Sequence, residues 1–161
     1  MRRVFPLLLA AFAAATSACG AGPRAGEPPP LAWEKSSLTI ETSSGAHRFD
    51  VEIADDQEER ERGLMFRREM AADAGMLFLY DQVGPLVMWM ENTYLPLDMV
   101  FIGPDGVVVS VAADAVPLSR NFIRSVEPAK AVLELNAGVA ARLAIVPGAL
   151  VRHAAFGTAA P

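Results

Sequence analysis

Residues 97–112 read Leu-Asp-Met-Val-Phe-Ile-Gly-Pro-Asp-Gly-Val-Val-Val-Ser-Val-Ala. Two runs of β-branched and bulky apolar side chains flank Pro104-Asp105-Gly106. That tripeptide favours a tight turn, because Gly tolerates positive φ and Asp bonds nearby backbone. The stretch predicts a hairpin with strands over residues 97–102 and 107–112. Working outward, His47, Phe49, Val51 and Ile53 alternate with Arg48, Asp50 and Glu52, the period of two that marks a half-buried strand. Ser43-Ser44-Gly45 turns back to a short strand over residues 37–42. Further strands are expected over residues 75–80, 86–91, 131–135 and 149–153. Asp55 or Asp56 caps a helix that Gly63 stops, with Glu58 and Glu59 at the capping-box distance. A second short helix is expected near residues 138–143. Seven or eight short strands with two short helices, lacking regular strand–helix alternation, predict an α+β, β-dominated domain. Its sheet is mainly antiparallel, or closed into a small barrel.

The 161 residues are 52% apolar and 20% charged, with a net charge of −5 and one cysteine. The apolar share excludes disorder along the whole chain. An acidic balance with no basic patch argues against a nucleic-acid partner. A single cysteine excludes a disulfide framework, a paired-cysteine zinc site and a CxxC redox centre.

Residues 1–18 combine a basic start at Arg2 and Arg3, an apolar run shorter than a membrane span, and the small residues Thr16, Ser17 and Ala18. This pattern is expected of an export signal. Ser17-Ala18-Cys19 resembles a bacterial lipobox, although Thr16 stands where Leu is usual. Cleavage before Cys19 and acylation of its thiol are therefore expected, placing the protein at the periplasmic or other extracytoplasmic face of a membrane. Residues 19–33 are rich in Pro and Gly and read as a tether. One globular domain is expected over residues 34–153, followed by a flexible tail over residues 154–161.

Four ordered blocks carry a family likeness. They are Glu61-Arg62-Gly63-Leu64-Met65-Phe66-Arg67, Gly75-Met76-Leu77-Phe78, Trp89-Met90-Glu91-Asn92-Thr93-Tyr94-Leu95-Pro96-Leu97-Asp98, and Ala131-Val132-Leu133-Glu134-Leu135-Asn136-Ala137-Gly138. Together they resemble the domain of unknown function 192 family over residues 36–153. The resemblance implies a compact, β-rich single domain, often behind an export signal, with no assigned activity. Met88 stands where the family often has an aromatic residue, and Glu91 where it often has a basic one. The second departure weakens any anion-binding reading of that segment.

The candidate site is a polar pocket of Asn92, Thr93 and Asp98, with Arg62 and Trp89 at its rim. Strand alternation leaves Asp98 as the lone polar group on a strand apolar on both faces, and a carboxylate drawn inside must be bonded, paired or neutralised. Asp98 is then either a ligand-binding group or a strut tying the bend to the helix. The first functional expectation is a non-catalytic module binding a small ligand or an envelope protein. A second is a hydrolase or lyase on cell-envelope material, with Asp98 as acid/base and Glu134 assisting. Glu134 taken alone reads as an exposed glutamate. A third is Cu(I) handling by Met88 and Met90, with nitrogen ligands from His47 or His153, against a packing role for both methionines. Trp89 and Tyr94 offer rings for stacking on a sugar or peptide. Arg60, Arg62, Arg67 and Arg68 read as a solvated face paired with nearby glutamates. No phosphate loop, GxSxG, HExxH or EF-hand spacing occurs, so no cofactor or structural metal is implied.

Overall fold

The structure, a computed structural model, describes residues 26–29 and 31–159. The leader read over residues 1–18, Cys19 and most of the tether lie outside the described residues. The compact unit that begins at Leu31 carries the fold. Its strands are β1 (Glu34–Thr42), β2 (Gly45–Ala54), β3 (Ala74–Gly84), β4 (Val87–Met88), β5 (Leu97–Ile102), β6 (Val108–Ala115), β7 (Ile123–Arg124), β8 (Ala129–Asn136) and β9 (Leu150–Arg152). The helices are α1 (Gln57–Arg62) and α2 (Val139–Arg142).

Seven strands form a curled half-barrel in the order β6-β5-β8-β3-β2-β1-β9, and β4 pairs with β7 in a separate ribbon. All neighbours are antiparallel except β2 and β3. A parallel pair requires a crossover, and the link between these two contains α1. Asp56 caps that helix by accepting from the Glu59 N–H at 2.8 Å. The strand expected over residues 86–91 is only two residues long, because the chain leaves the ladder after Met88 and the Met90 N–H turns to the Ser119 carbonyl.

Both faces of the sheet are covered around β5 and β8, which explains the unbroken burial of β5. One face packs Leu38, Ile40, Phe49, Val51, Leu77, Val100 and Leu133 against α2, Val151 and Phe156. The other packs Met76, Phe78, Leu97, Met99, Phe101 and Val132 against Leu64, Leu86, Met88, Met90 and Leu95. Strand alternation sends side chains to opposite faces, so neighbouring residues of one strand serve different cores.

The two outermost strands meet at one corner. The Val108 N–H donates to the Ala149 carbonyl at 2.9 Å, Gly148 to Val108 at 2.9 Å, and Val151 to Gly106 at 2.8 Å. Gly106 sits at this seam with φ +81°, and a Cβ there would stand 2.7 Å from the Val151 carbonyl oxygen. Gly106→Ala is expected to cost roughly 2–3 kcal/mol by combining a left-handed backbone with a backbone clash. Urea denaturation reads this as a lower midpoint at constant slope.

The expected tail beyond His153 is corrected by the structure. Residues 154–156 form a 3-10 turn, and Phe156 enters the core. His153 fixes the turn: its Nδ1 accepts from the Ala155 N–H at 3.2 Å, so Nε2 carries the proton and donates to Ser36 Oγ at 2.9 Å. Burial lowers the His153 pKa, partly offset by the Glu34 carboxylate. The unfolded chain thus takes up this proton at higher pH than the folded one. Its contribution to stability is present above about pH 6.5, the unperturbed value, and is lost as pH falls through the lowered folded value. Protection factors at residues 155–158 are expected to fall between pH 7 and pH 5 while those of β8 hold. A flat profile contradicts the assignment.

Candidate functional site

Asp98 is fully buried, and both carboxylate oxygens are taken by backbone. Oδ1 accepts from the Asp114 N–H at 3.0 Å and Oδ2 from the Ala140 N–H at 2.8 Å. Ala140 lies in the first turn of α2, whose N-cap Gly138 offers no side-chain acceptor. Asp98 supplies the acceptor that this helix start lacks. This is the geometry of a strut, with neither oxygen left free for a pocket ligand or for acid/base work.

The other expected members do not gather around it. Thr93 is buried with Oγ1 donating to the Glu91 carbonyl at 3.2 Å, and Asn92 is exposed with Nδ2 3.8 Å from Met65 Sδ. Arg62 ends α1, and the bonds to Asp98 come from backbone amides instead. Trp89 stacks on Phe122 at 6.3 Å, whereas Tyr94 meets Phe66 edge-on and lies under the Arg68 guanidinium. The two rings do not form one platform.

Backbone strain marks where these segments are stitched. Phe66, Asp114 and Leu118 adopt positive φ of 66°, 52° and 60°. Each donates its N–H across the fold: to the Asn92 carbonyl, to Asp98 Oδ1 and to the Thr93 carbonyl. Such conformations persist only where the surroundings over-determine them, and these bonds do so.

Glu134 is the larger surprise. The expected exposed glutamate is 4% exposed, and burial pushes its carboxyl up to about 8. The signal was present in the sequence, since Ala131, Val132, Leu133 and Leu135 leave no solvent face on that strand. Register places Glu134 opposite Met99 and Asp98 opposite Leu135. The two carboxyls therefore lie on opposite faces of the sheet and cannot form a catalytic pair. Tyr80 stands near Glu134 under the Arg60 guanidinium, 5.2 Å from its ring centroid, and burial raises its phenol. Tyr80 donates to Met88 Sδ at 3.6 Å.

Met88 and Met90 are both buried, so the paired exposure that Cu(I) handling by them requires is absent. His47 and His153 bond instead to Ser44 and Ser36. The expected solvated arginine face is corrected as well. Arg60 donates to the carbonyls of Asp55 and Leu79, and Arg67 pairs with Glu52 while lying 5.7 Å from the Trp33 ring centroid.

That Arg67–Glu52 pair borders a trough of about 1040 Å³, which sequence reasoning missed. Its floor is the outward face of β1 and β2 with the start of β3: Lys35, Ser37, Arg48, Asp50, Glu52 and Ala74. Arg67, Glu69 and Met70 wall it. Three cations face three carboxylates there, so the trough carries both signs of charge without a net one.

The family model for DUF192, described as an uncharacterised ACR, matches residues 39–153. The chain belongs to the DUF192 family. No curated protein matches it. A solved structure from Sinorhizobium meliloti 1021, provisionally named a transcription regulator, is 46% identical with a TM-score of 0.76, over 78% of this chain and 98% of that one. A protein of unknown function from Novosphingobium aromaticivorans DSM 12444 is 38% identical with a TM-score of 0.73, over 83% and 100%. The DUF192 blocks noted in the sequence form two joined pairs. The Phe66 N–H bonds the Asn92 carbonyl between one pair, and Gly75, Met76 and Phe78 ladder with Leu135, Glu134 and Val132 in the other.

Proposed function

We propose that this DUF192 protein is an exported, lipid-anchored binding module of the cell envelope that takes a small zwitterionic ligand in the trough. The observation that carries the reading is the balanced set of Lys35, Arg48 and Arg67 against Asp50, Glu52 and Glu69 around one open cavity. A volume of about 1040 Å³ suits a small molecule. A ligand with one positive and one negative end, such as an amino acid or short peptide, can exchange with the existing ion pairs without burying unmatched charge. The Trp33 ring and Glu52 hold the Arg67 guanidinium in place before the ligand arrives. The reading is non-catalytic because Glu134, the one carboxyl among the described residues whose proton affinity burial strongly alters, is buried behind Met76 and does not line the trough. The regulator name carried by the Sinorhizobium protein is not adopted: a net charge of −5 with arginines paired to carboxylates gives polyanions little to hold.

The test is melting temperature and amide chemical shifts of the full chain with glycylglycine, free amino acids and neutral sugars. Binding to the native state raises the melting temperature by mass action. Glycylglycine is expected to do so, shifting amides of residues 35–37 and 48–52, and Arg67→Gln is expected to weaken it about tenfold. Shifts confined to other faces, or none with any zwitterion, overturn the reading.

A further inference from the structure

The face of the sheet that carries the trough continues inward to a group the trough does not use. Glu134 is 4% exposed, and its carboxyl makes no hydrogen bond or ion pair among the described residues. The β3–β8 register puts Met76 opposite it, and the β5–β8 register puts Met99 opposite it on the other side. Side chains directly opposed in antiparallel ladders share a face with Cβ atoms about 5 Å apart. The carboxyl is thus flanked by two thioethers, and Met88 and Met90 belong to the same buried cluster.

A carboxyl in such surroundings stays neutral, either by keeping its proton or by exchanging that proton for a cation held beside it. Thioether sulfurs are soft donors and discriminate against hard cations, which prefer oxygen or nitrogen. One carboxylate cancels one positive charge, so a monovalent cation leaves no net buried charge, whereas a divalent one does. We propose that Met76, Glu134 and Met99 form a site for one soft monovalent cation, of the copper(I) or silver(I) kind. These are not the ligands that sequence alone suggested, since Met88 and Met90 come from the covering segment and Met76 and Met99 from the sheet.

A row of paired side chains joins the trough to the site. Glu52 lines the trough and pairs in register with Met76, which in turn pairs with Glu134. Met70 is the thioether shared by the trough and the buried cluster, and methionine's unbranched side chain moves easily. The site's ligands do not depend on the trough having an organic ligand of its own, so either reading can fail without the other.

The probe is silver(I) nitrate alone, added to the full chain carrying 13C-methyl methionine and Cys19→Ser, which removes its one thiol. The Met76 and Met99 methyl signals are expected to move together and saturate at one silver per chain. Glu134→Gln, an isosteric change that keeps the fold, is expected to weaken binding at least tenfold. Met76→Leu and Met99→Leu, which conserve volume, are expected to do the same, and Met65→Leu to change nothing. Silver that moves only the partly exposed Met65 or Met70 signals, or binding equally tight in Glu134→Gln, overturns the proposal.

Discussion

Glu134→Gln is expected to stabilise the protein at pH 7 by on the order of 3 kcal/mol, with a gain that disappears on acidification. The sign follows from where the proton sits. Burial holds the folded carboxyl's pKa at about 8, against an ordinary value of 4.5. Between these values the folded state keeps a proton that the unfolded chain releases, so wild-type stability is full below pH 4.5 and declines as pH rises. Each pH unit in that window costs about 1.4 kcal/mol, and the slope levels above pH 8, where both states are ionised. Glutamine copies the neutral acid's shape and has no proton to lose. Urea unfolding of both forms at pH 5, 6, 7 and 8 checks this as a widening gap between them. Parallel pH profiles would show that Glu134 is ionised in the folded protein at neutral pH.

Asp98→Asn is expected to destabilise by about 3 kcal/mol and to leave binding in the trough unchanged. The carboxylate accepts from two backbone amides on different elements, Asp114 near the end of β6 and Ala140 in α2. An amide side chain satisfies one and turns its NH2 toward the other, which loses a charge-assisted bond and leaves a buried donor unpaired. Loosening is expected first at residues 138–145, visible as faster amide exchange there. A pocket role for Asp98 would instead appear as lost ligand binding with stability unchanged.

The β-dominated fold was legible because it rests on local chemistry. The turn at Pro104-Asp105-Gly106, the alternation at residues 47–53 and the capping of α1 by Asp56 each depend on neighbours in sequence. Asp98 was legible as an inward carboxylate from the same alternation, but its partners, the amides of Asp114 and Ala140, are 16 and 42 residues away. Nothing in the order of residues states which donor reaches it. Glu134 was misread by weighing the ordinary exposure of glutamate above the unbroken apolar run around it. The trough was invisible for a different reason: it exists only because β2 and β3 run parallel, and an antiparallel expectation does not bring residues 67–71 over the floor. The ribbon of β4 and β7 contributes two residues from each strand, too short for any pattern to show.

The seam between Gly106–Val108 and Gly148–Val151 bears on how copies of this chain behave toward one another. An open sheet presents free backbone at its two outer strands, and such strands recruit strands from other molecules. Here the outer strands are short or bonded to each other at one corner, and the buried Phe156 turn follows directly. The last dozen described residues thus act as a guard against strand exchange. A chain ending before Gly148 should retain most of the sheet yet lose its solubility, with β1 and β6 laid open together as templates for fibres.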